Sequence, residues 1–241
     1  MTSPAHRLDG MLAVLTGASR PGQVGEVVAR QFAERGATVA LIGREEAEVE
    51  LRAADLREEG FSASGWGCDL TDNVAVSAVA ARIDATHPGG VGALVCLAGG
   101  YSGGSTVANT EPAIWERMLA ANLTTAQLTT RAFLPLVRQA RGSILYFAST
   151  NAIAGGKSTN MAAYGASKSG VVILMRAVAE EERRNGVRAN AIAPTAVRTA
   201  ANLASMGDSF PYVERETVAE WATFLCSRSS GAVSGQLVQL G

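Results

Sequence analysis

The run Tyr164-Gly165-Ala166-Ser167-Lys168 carries the most evident chemistry in this chain. On a helix, residues four apart share a face, so the phenol and the ammonium become neighbours. A free phenol titrates near pH 10, but a positive charge about 4 Å away at an effective dielectric near 20 contributes on the order of 4 kcal/mol, roughly three pKa units. That would bring Tyr164 toward neutral pH, where a general acid/base works best. The pair is therefore suited to passing a proton to or from a carbonyl oxygen. Ser149 follows the apolar run Tyr146-Phe147-Ala148. As the end of a strand it would stand where open α/β sheets collect their ligands, able to hydrogen-bond the same oxygen.

A second constellation reads as a dinucleotide site. Thr16-Gly17-Ala18-Ser19-Arg20-Pro21-Gly22-Gln23-Val24-Gly25 joins an apolar run to a helical one. Gly17, Ser19, Gly22, Val24 and Gly25 in such a turn let backbone N–H groups approach a pyrophosphate at the positive end of a helix. The spacing differs from a plain GxGxxG, so its placement carries the reading. The next apolar run ends in Leu41-Ile42-Gly43-Arg44, where an acid would suit a ribose 2′-hydroxyl and an arginine a 2′-phosphate. Arg44 with Arg20 would clamp that phosphate, which favours NADP(H) over NAD(H). Glu45 and Glu46 are the competing charges that could neutralise Arg44 instead.

The elements that must position these residues alternate along the chain. Short apolar runs at 11–16, 38–42, 62–67, 93–98, 143–148, 187–192 and 236–240 are bounded by Gly, Asp, Asn or Ser and predict seven strands. Helical patterns at 24–35, 46–59, 73–86, 112–140, 162–185 and 217–225 separate them. Strands joined through helices pair in parallel and need helices above and below. The expected fold is thus an α/β, doubly wound, three-layer, seven-stranded sheet in one domain spanning 1–241. No Pro/Gly/Ser-rich linker or fixed-period repeat interrupts the rhythm.

Composition narrows the class. Of the 241 residues 47% are hydrophobic and 18% charged, enough for a large core and unlike a disordered chain. The net charge of −1, spread evenly, argues against nucleic acid and anionic membranes as partners. Cys68, Cys96 and Cys226 lie far apart without CxxC spacing, which points to reduced thiols in core packing and to no metal site. The first ten residues carry no apolar signal core and no run reaches the roughly 20 residues of a spanning helix. A cytoplasmic protein is expected.

Together these motifs occur in the order of the short-chain dehydrogenase/reductase family, and the chain resembles in particular its 3-oxoacyl-ACP reductase-like members. The likeness runs over nearly the whole chain. Asp69-Leu70 is similar to its adenine-contacting segment, Leu97-Ala98-Gly99 to its Asn-Ala-Gly turn, and Asn122, Ser149, Tyr164 and Lys168 to its catalytic tetrad. The segment through Pro194, Val197 and Thr199 resembles the lining of its nicotinamide pocket. The resemblance implies a Rossmann-type fold, a ketone or aldehyde substrate and Tyr164 as proton donor and acceptor. It further implies that Lys168 holds the ribose hydroxyls and lowers the tyrosine pKa, that Ser149 polarises the carbonyl, and that Asn122 fixes a relay water. Departures are two extra residues before Gly25, Pro194-Thr195 in place of Pro-Gly, Cys96-Leu97 in place of the usual Asn pair, and a Ser149–Tyr164 spacing about two residues longer than usual. The last leaves Thr150 and Asn151 as alternatives to Ser149.

Two rival readings are an inactive nucleotide-binding regulator of the same fold and a hydrolase using Ser102. The second rests on Gly100-Tyr101-Ser102-Gly103-Gly104, a G-x-S-x-G run. Its base should follow the nucleophile, but His6 and His87, the only histidines, both precede it. The run reads better as a flexible loop beside the nicotinamide. The small residues Gly165, Ala166, Ser169 and Gly170 and the apolar 171–175 leave the 162–185 helix little polar face, which predicts a homotetramer or homodimer. Leu203, Met206, Phe210 and Tyr212 in the 199–217 segment predict an open, apolar pocket. Such a pocket accommodates a β-ketoacyl thioester, a steroid, a sugar-derived ketone or a small aliphatic ketone alike.

Overall fold

The computed structural model describes residues 6–153 and 155–241; the first five residues of the amino-terminal stretch lie outside them. The apolar runs form β1 (Leu12–Thr16), β2 (Thr38–Gly43), β3 (Ala63–Gly67), β4 (Ala93–Cys96), β5 (Ser143–Phe147), β6 (Arg188–Pro194) and β7 (Leu237–Leu240). They make one seven-stranded sheet in the order β3-β2-β1-β4-β5-β6-β7, parallel throughout. The helices are α1 (Val24–Glu34), α2 (Glu46–Glu58), α3 (Asn73–Thr86), α4 (Pro112–Leu119), α5 (Thr125–Ala140), α6 (Ala162–Glu181), α7 (Ala200–Met206) and α8 (Arg215–Cys226).

Side-chain alternation along the strands divides the core in two. Val14, Leu94, Ile144 and Tyr146 face α3, α5 and α6, where Ile83, Phe133 and Met175 pack against them. Leu15, Val95, Leu145 and Phe147 face α1, α2 and α8, against Phe32, Val49 and Val218. Strands buried on both faces have to be apolar at nearly every position, which is why these runs were continuous rather than alternating. The two edge strands are the exceptions: β3 is half-buried throughout, and in β7 only Leu240 is buried. The sheet is thus the doubly wound, three-layer arrangement that the sequence predicts.

Strand order reverses between β1 and β4, and the crevice beyond their carboxyl ends is where such sheets bind ligands. Thr16 bridges that point. Its hydroxyl donates to the Val95 carbonyl (3.4 Å) and accepts from the Ala98 N–H (3.2 Å). That turn stops β4 at Cys96, short of the predicted 98.

Other boundaries shift for identifiable reasons. The helix expected over 112–140 divides into α4 and α5 at a π-turn, Ala120–Thr124, which turns Asn122 into the interior at 1% exposure. The 162–185 helix ends at Glu181, followed by a single turn and by Gly186 at φ +74°. The helix predicted at 217–225 starts earlier, at Arg215. In the 199–217 segment α7 was not anticipated; the Thr199 side chain caps it by accepting from the Asn202 N–H at 3.2 Å. Among the described residues no helix is long and apolar enough to cross a membrane.

Candidate active site

Tyr164 and Lys168 stand in the first two turns of α6, one above the other. Lys168 is buried, and its ammonium donates to the carbonyl of Phe147, the last residue of β5, at 2.8 Å. Burial pulls its pKa down to about 8. The Tyr164 phenol lies above its ordinary value: burial raises it, hydrogen bonding with Ser149 opposes the rise, and the neighbouring Tyr101 adds to it. The direction is opposite to that expected from the four-residue spacing. Spacing brings the two groups together but says nothing of burial, nor of the Phe147 carbonyl that engages the ammonium.

Ser149 sits at the carboxyl end of β5 and caps the short turn Thr150–Ala152. Its hydroxyl donates to Asn151 Oδ1 (2.9 Å) and accepts from the Asn151 N–H (3.4 Å). The Asn151 amide donates in turn to the Lys157 carbonyl. Of Ser149, Thr150 and Asn151, it is Ser149 whose side chain draws the phenol pKa down against the effect of burial.

Asn122 ties the cluster together. Its Nδ2 donates to the carbonyls of Gly100 (3.1 Å) and Met118 (3.2 Å) and to Ser167 Oγ (3.1 Å), while its Oδ1 accepts from the Gly100 N–H (3.0 Å). Ser167 Oγ donates onward to the Tyr164 carbonyl at 2.7 Å. The side chain thereby locks the turn after β4 to the start of α6. Gly99 lies in that turn, where an added Cβ would come within 2.6 Å of Asn122 Oδ1 and 3.4 Å of Lys168 Nζ.

The loop after β1 packs as a dinucleotide turn requires. Gly17 has φ +74°, and a Cβ there would lie 2.6 Å from the Ala98 nitrogen, so only glycine fits between the two strand ends. Gly25, in the first turn of α1 after Val24, packs on Ala18, and Ser19 lies beside Gly43 at the end of β2. Arg20 and Arg44 are exposed and form no ion pair among the described residues; neither Glu45 nor Glu46 engages Arg44. Arg44 instead helps to lower the Asp69 pKa, behind the larger effect of the Thr71 N–H and hydroxyl, which donate to Asp69 Oδ1 at 2.9 and 2.7 Å. Leu70 beside it is buried. The donor set therefore fits a dinucleotide.

Three features escaped the sequence reading. Glu26, in the first turn of α1, accepts from the Gly22 N–H at 2.8 Å and lies 3.6 Å from Arg215, so one donor of the helix end already faces a carboxylate. The glutamate was visible as an acidic residue at a helix start, a pattern that marks such contacts. Tyr101 sets its ring across that of Tyr164, with centroids 5.1 Å apart and planes at 74°. Tyr212, expected to line a pocket, donates to the carbonyls of Asn202 (3.1 Å) and Gly207 (2.7 Å) and so braces α7. Met206 and Phe210 are exposed there. The α7 segment also reaches the loop after β1, the Ala200 N–H donating to the Gly22 carbonyl at 3.1 Å.

Pro194 closes β6, the Val197 carbonyl accepts from the Asn202 amide at 2.8 Å, and Thr199 is buried at the α7 cap. All three lie on the segment leading from the sheet to α7. Ser102 has no histidine beside it: the His6 ring packs on Phe224 at 5.0 Å, and His87 ends α3.

Residues 11–207 match the family described as short chain dehydrogenase. A galactitol 2-dehydrogenase from Rhizobium johnstonii is 34% identical over 195 residues, covering 80% of this chain and 74% of that protein. A Xanthobacter autotrophicus protein named inactive 2-(S)-hydroxypropyl-CoM dehydrogenase 2 is 34% identical over 227 residues, 86% of this chain and 95% of its own. The crystal structure of a gluconate 5-dehydrogenase from Burkholderia cenocepacia, in complex with NADP and tartrate, superposes with a TM-score of 0.90 at 26% identity, covering 98% of this chain and 95% of that one. The chain belongs to the short-chain dehydrogenase family of oxidoreductases.

Proposed function

We propose that this protein is an NADP(H)-dependent oxidoreductase that interconverts a ketone or aldehyde and the corresponding alcohol, with Tyr164 as proton donor and acceptor. The observation that carries the reading is the convergence of Tyr164, Ser149 and buried Lys168, with Asn122 tied to the start of α6 through Ser167, at the carboxyl ends of β4 and β5 beside the β1 glycine loop.

The nicotinamide, when bound, supplies the hydride. Gly17, Ser19, Gly22, Val24 and Gly25 would hold the pyrophosphate, Asp69 and Leu70 the adenine end, and Ala98 and Gly99 the ribose side. Pro194, Val197 and Thr199 would line the nicotinamide pocket. Arg20 and Arg44 would clamp a 2′-phosphate, which the absence of an ion pair to either among the described residues supports; the NADP held by the gluconate 5-dehydrogenase of like fold supports it too. An ammonium has three donors, and Phe147 takes one of Lys168's, leaving two for ribose hydroxyls.

In reduction, the raised pKa keeps Tyr164 protonated at neutral pH, ready to give its proton to the carbonyl oxygen as charge develops there. Ser149 exchanges its bond to Asn151 for the same oxygen and polarises it. The Lys168 charge favours the phenolate that remains. Asn122 positions the turn and α6; with its amide fully engaged, the water-fixing role implied by resemblance falls to its main-chain carbonyl.

The whole chain is read as one catalytic domain. Three buried free thiols support a cytoplasmic setting. Ile173 on α6 and Trp115 on the adjoining α4 are 62% and 41% exposed, which supports assembly as a homotetramer or homodimer through these helices; a monomer by light scattering would refute it. The relative named as inactive supplies the competing reading, a nucleotide-binding protein without turnover. Calorimetry with NADPH and NADH, followed by nicotinamide absorbance with a panel of ketones and aldehydes, separates the two. Cofactor binding with turnover is expected. Binding without turnover favours the rival, and absence of binding removes both.

A further inference from the structure

Resting on that reading, we propose that Tyr101 is a substrate-positioning residue, its ring forming the wall that holds a flat or C–H-rich group of the substrate while the carbonyl meets the Tyr164 hydroxyl. The Gly100–Gly104 run then has a purpose that the hydrolase pattern does not supply: it is a mount for an aromatic ring.

The mount is held at both ends. Gly100, directly before the tyrosine, has its N–H and its carbonyl bonded to the side chain of Asn122, which is itself buried. Beyond it, the Gly104 N–H donates to the Asn160 carbonyl at 2.8 Å, four residues before Tyr164. Between these anchors the Tyr101 hydroxyl lies over Gly103, where an added Cβ would collide with it and come within 3.0 Å of Met161 Cγ. A residue larger than glycine at 103 would therefore dislodge the ring. Both anchors lead back to the cluster that holds Tyr164, so the two rings are set by one frame.

The ring meets Tyr164 edge to face at 5.1 Å, a favoured aromatic geometry, yet remains 66% exposed. A buried aromatic of this kind would be core packing. One carried between two anchored glycines, left open to solvent and placed against a proton donor presents apolar surface to whatever receives the proton. A ring face suits aryl groups, sugar C–H faces and aliphatic chains, and offers little to a substrate as small as acetone. The same contact helps keep the Tyr164 phenol out of water, in line with its raised pKa.

Tyr101→Ala and Tyr101→Phe in the full chain test this. With acetophenone as probe, loss of the ring should raise KM about tenfold with kcat within about threefold, the size of effect expected for an aromatic contact. The phenylalanine variant should stay within about threefold of the parent in both, since the ring rather than the hydroxyl makes the wall, and NADPH affinity should be unchanged in both variants. Independently of turnover, 13C-labelled tyrosine NMR should show the Tyr164 titration moving to lower pH in Tyr101→Ala, as water reaches the phenol. A parent that reduces acetophenone alongside a Tyr101→Ala variant with unaltered KM would overturn this proposal and leave the reductase reading standing. A parent that reduces no carbonyl would overturn both.

Discussion

Replacing Lys168 with methionine isolates the cost of burying its ammonium. The folded protein holds this group at a pKa of about 8, against an ordinary value of 10.5. Between those values the unfolded chain binds more protons than the folded one, so stability must rise with pH across the window; below about pH 8 the penalty is present in full. Going from pH 7 to pH 10, the two titrations differ enough to stabilise the parent by about 2.5 kcal/mol. For a chain of this length that corresponds to roughly 5–10 °C in Tm. Methionine keeps the apolar stem and leaves the Phe147 carbonyl without its donor, at about 1–3 kcal/mol. That loss does not depend on pH and cancels when each protein is compared with itself. Lys157, the only other lysine, is exposed and present in both. Urea denaturation at pH 7 and pH 10, followed by tryptophan fluorescence, should show the parent gaining about 2.5 kcal/mol more than Lys168→Met over this interval. Equal pH dependence in the two proteins would refute the claim that the ammonium is held in a desolvating site.

Three further outcomes follow from the same geometry. Arg44→Asp should weaken NADPH at least about tenfold while leaving NADH within about threefold, measured by calorimetry; equal losses for both would remove the phosphate clamp. Glu26→Gln should tighten NADPH and NADH alike by about two- to fivefold, because it takes a negative charge off the helix end at the Gly22 N–H; unchanged affinity would mean that this carboxylate lies clear of the pyrophosphate. Ser149→Ala should lower kcat about a hundredfold with cofactor affinity intact, whereas Thr150→Ala should leave kcat within about twofold; the reverse pattern would place the polarising hydroxyl at 150.

The strands were legible because a parallel sheet covered on both faces demands unbroken apolar runs, and Val14, Leu94 and Ile144 with their neighbours could hardly pack otherwise. Tyr164 and Lys168 were legible as a pair because helical geometry alone brings residues four apart together. What spacing could not convey was environment. The downward shift of Lys168 and the upward one of Tyr164 both follow from burial, which depends on how β5 and the 100–104 loop close over α6. The π-turn at Asn122 was hidden for a related reason: one extra residue in a turn leaves the hydrophobic periodicity of 112–140 nearly intact. The register of Ser149 against Thr150 and Asn151 was hard to read because the short turn that Ser149 caps leaves no mark on the hydrophobic pattern. Tyr101 was overlooked because a tyrosine among glycines reads as loop, and only the contacts of Gly100, Gly103 and Gly104 reveal that the loop is braced.

The most direct test of the account is Tyr164→Phe, which removes one hydroxyl and leaves the ring. With NADPH and a carbonyl substrate reduced by the parent, kcat/KM should fall by about a thousandfold or more while NADPH binds with unchanged affinity. A phenylalanine variant that reduces the same carbonyl at the parent rate would show that the proton comes from elsewhere, and the central claim would fall.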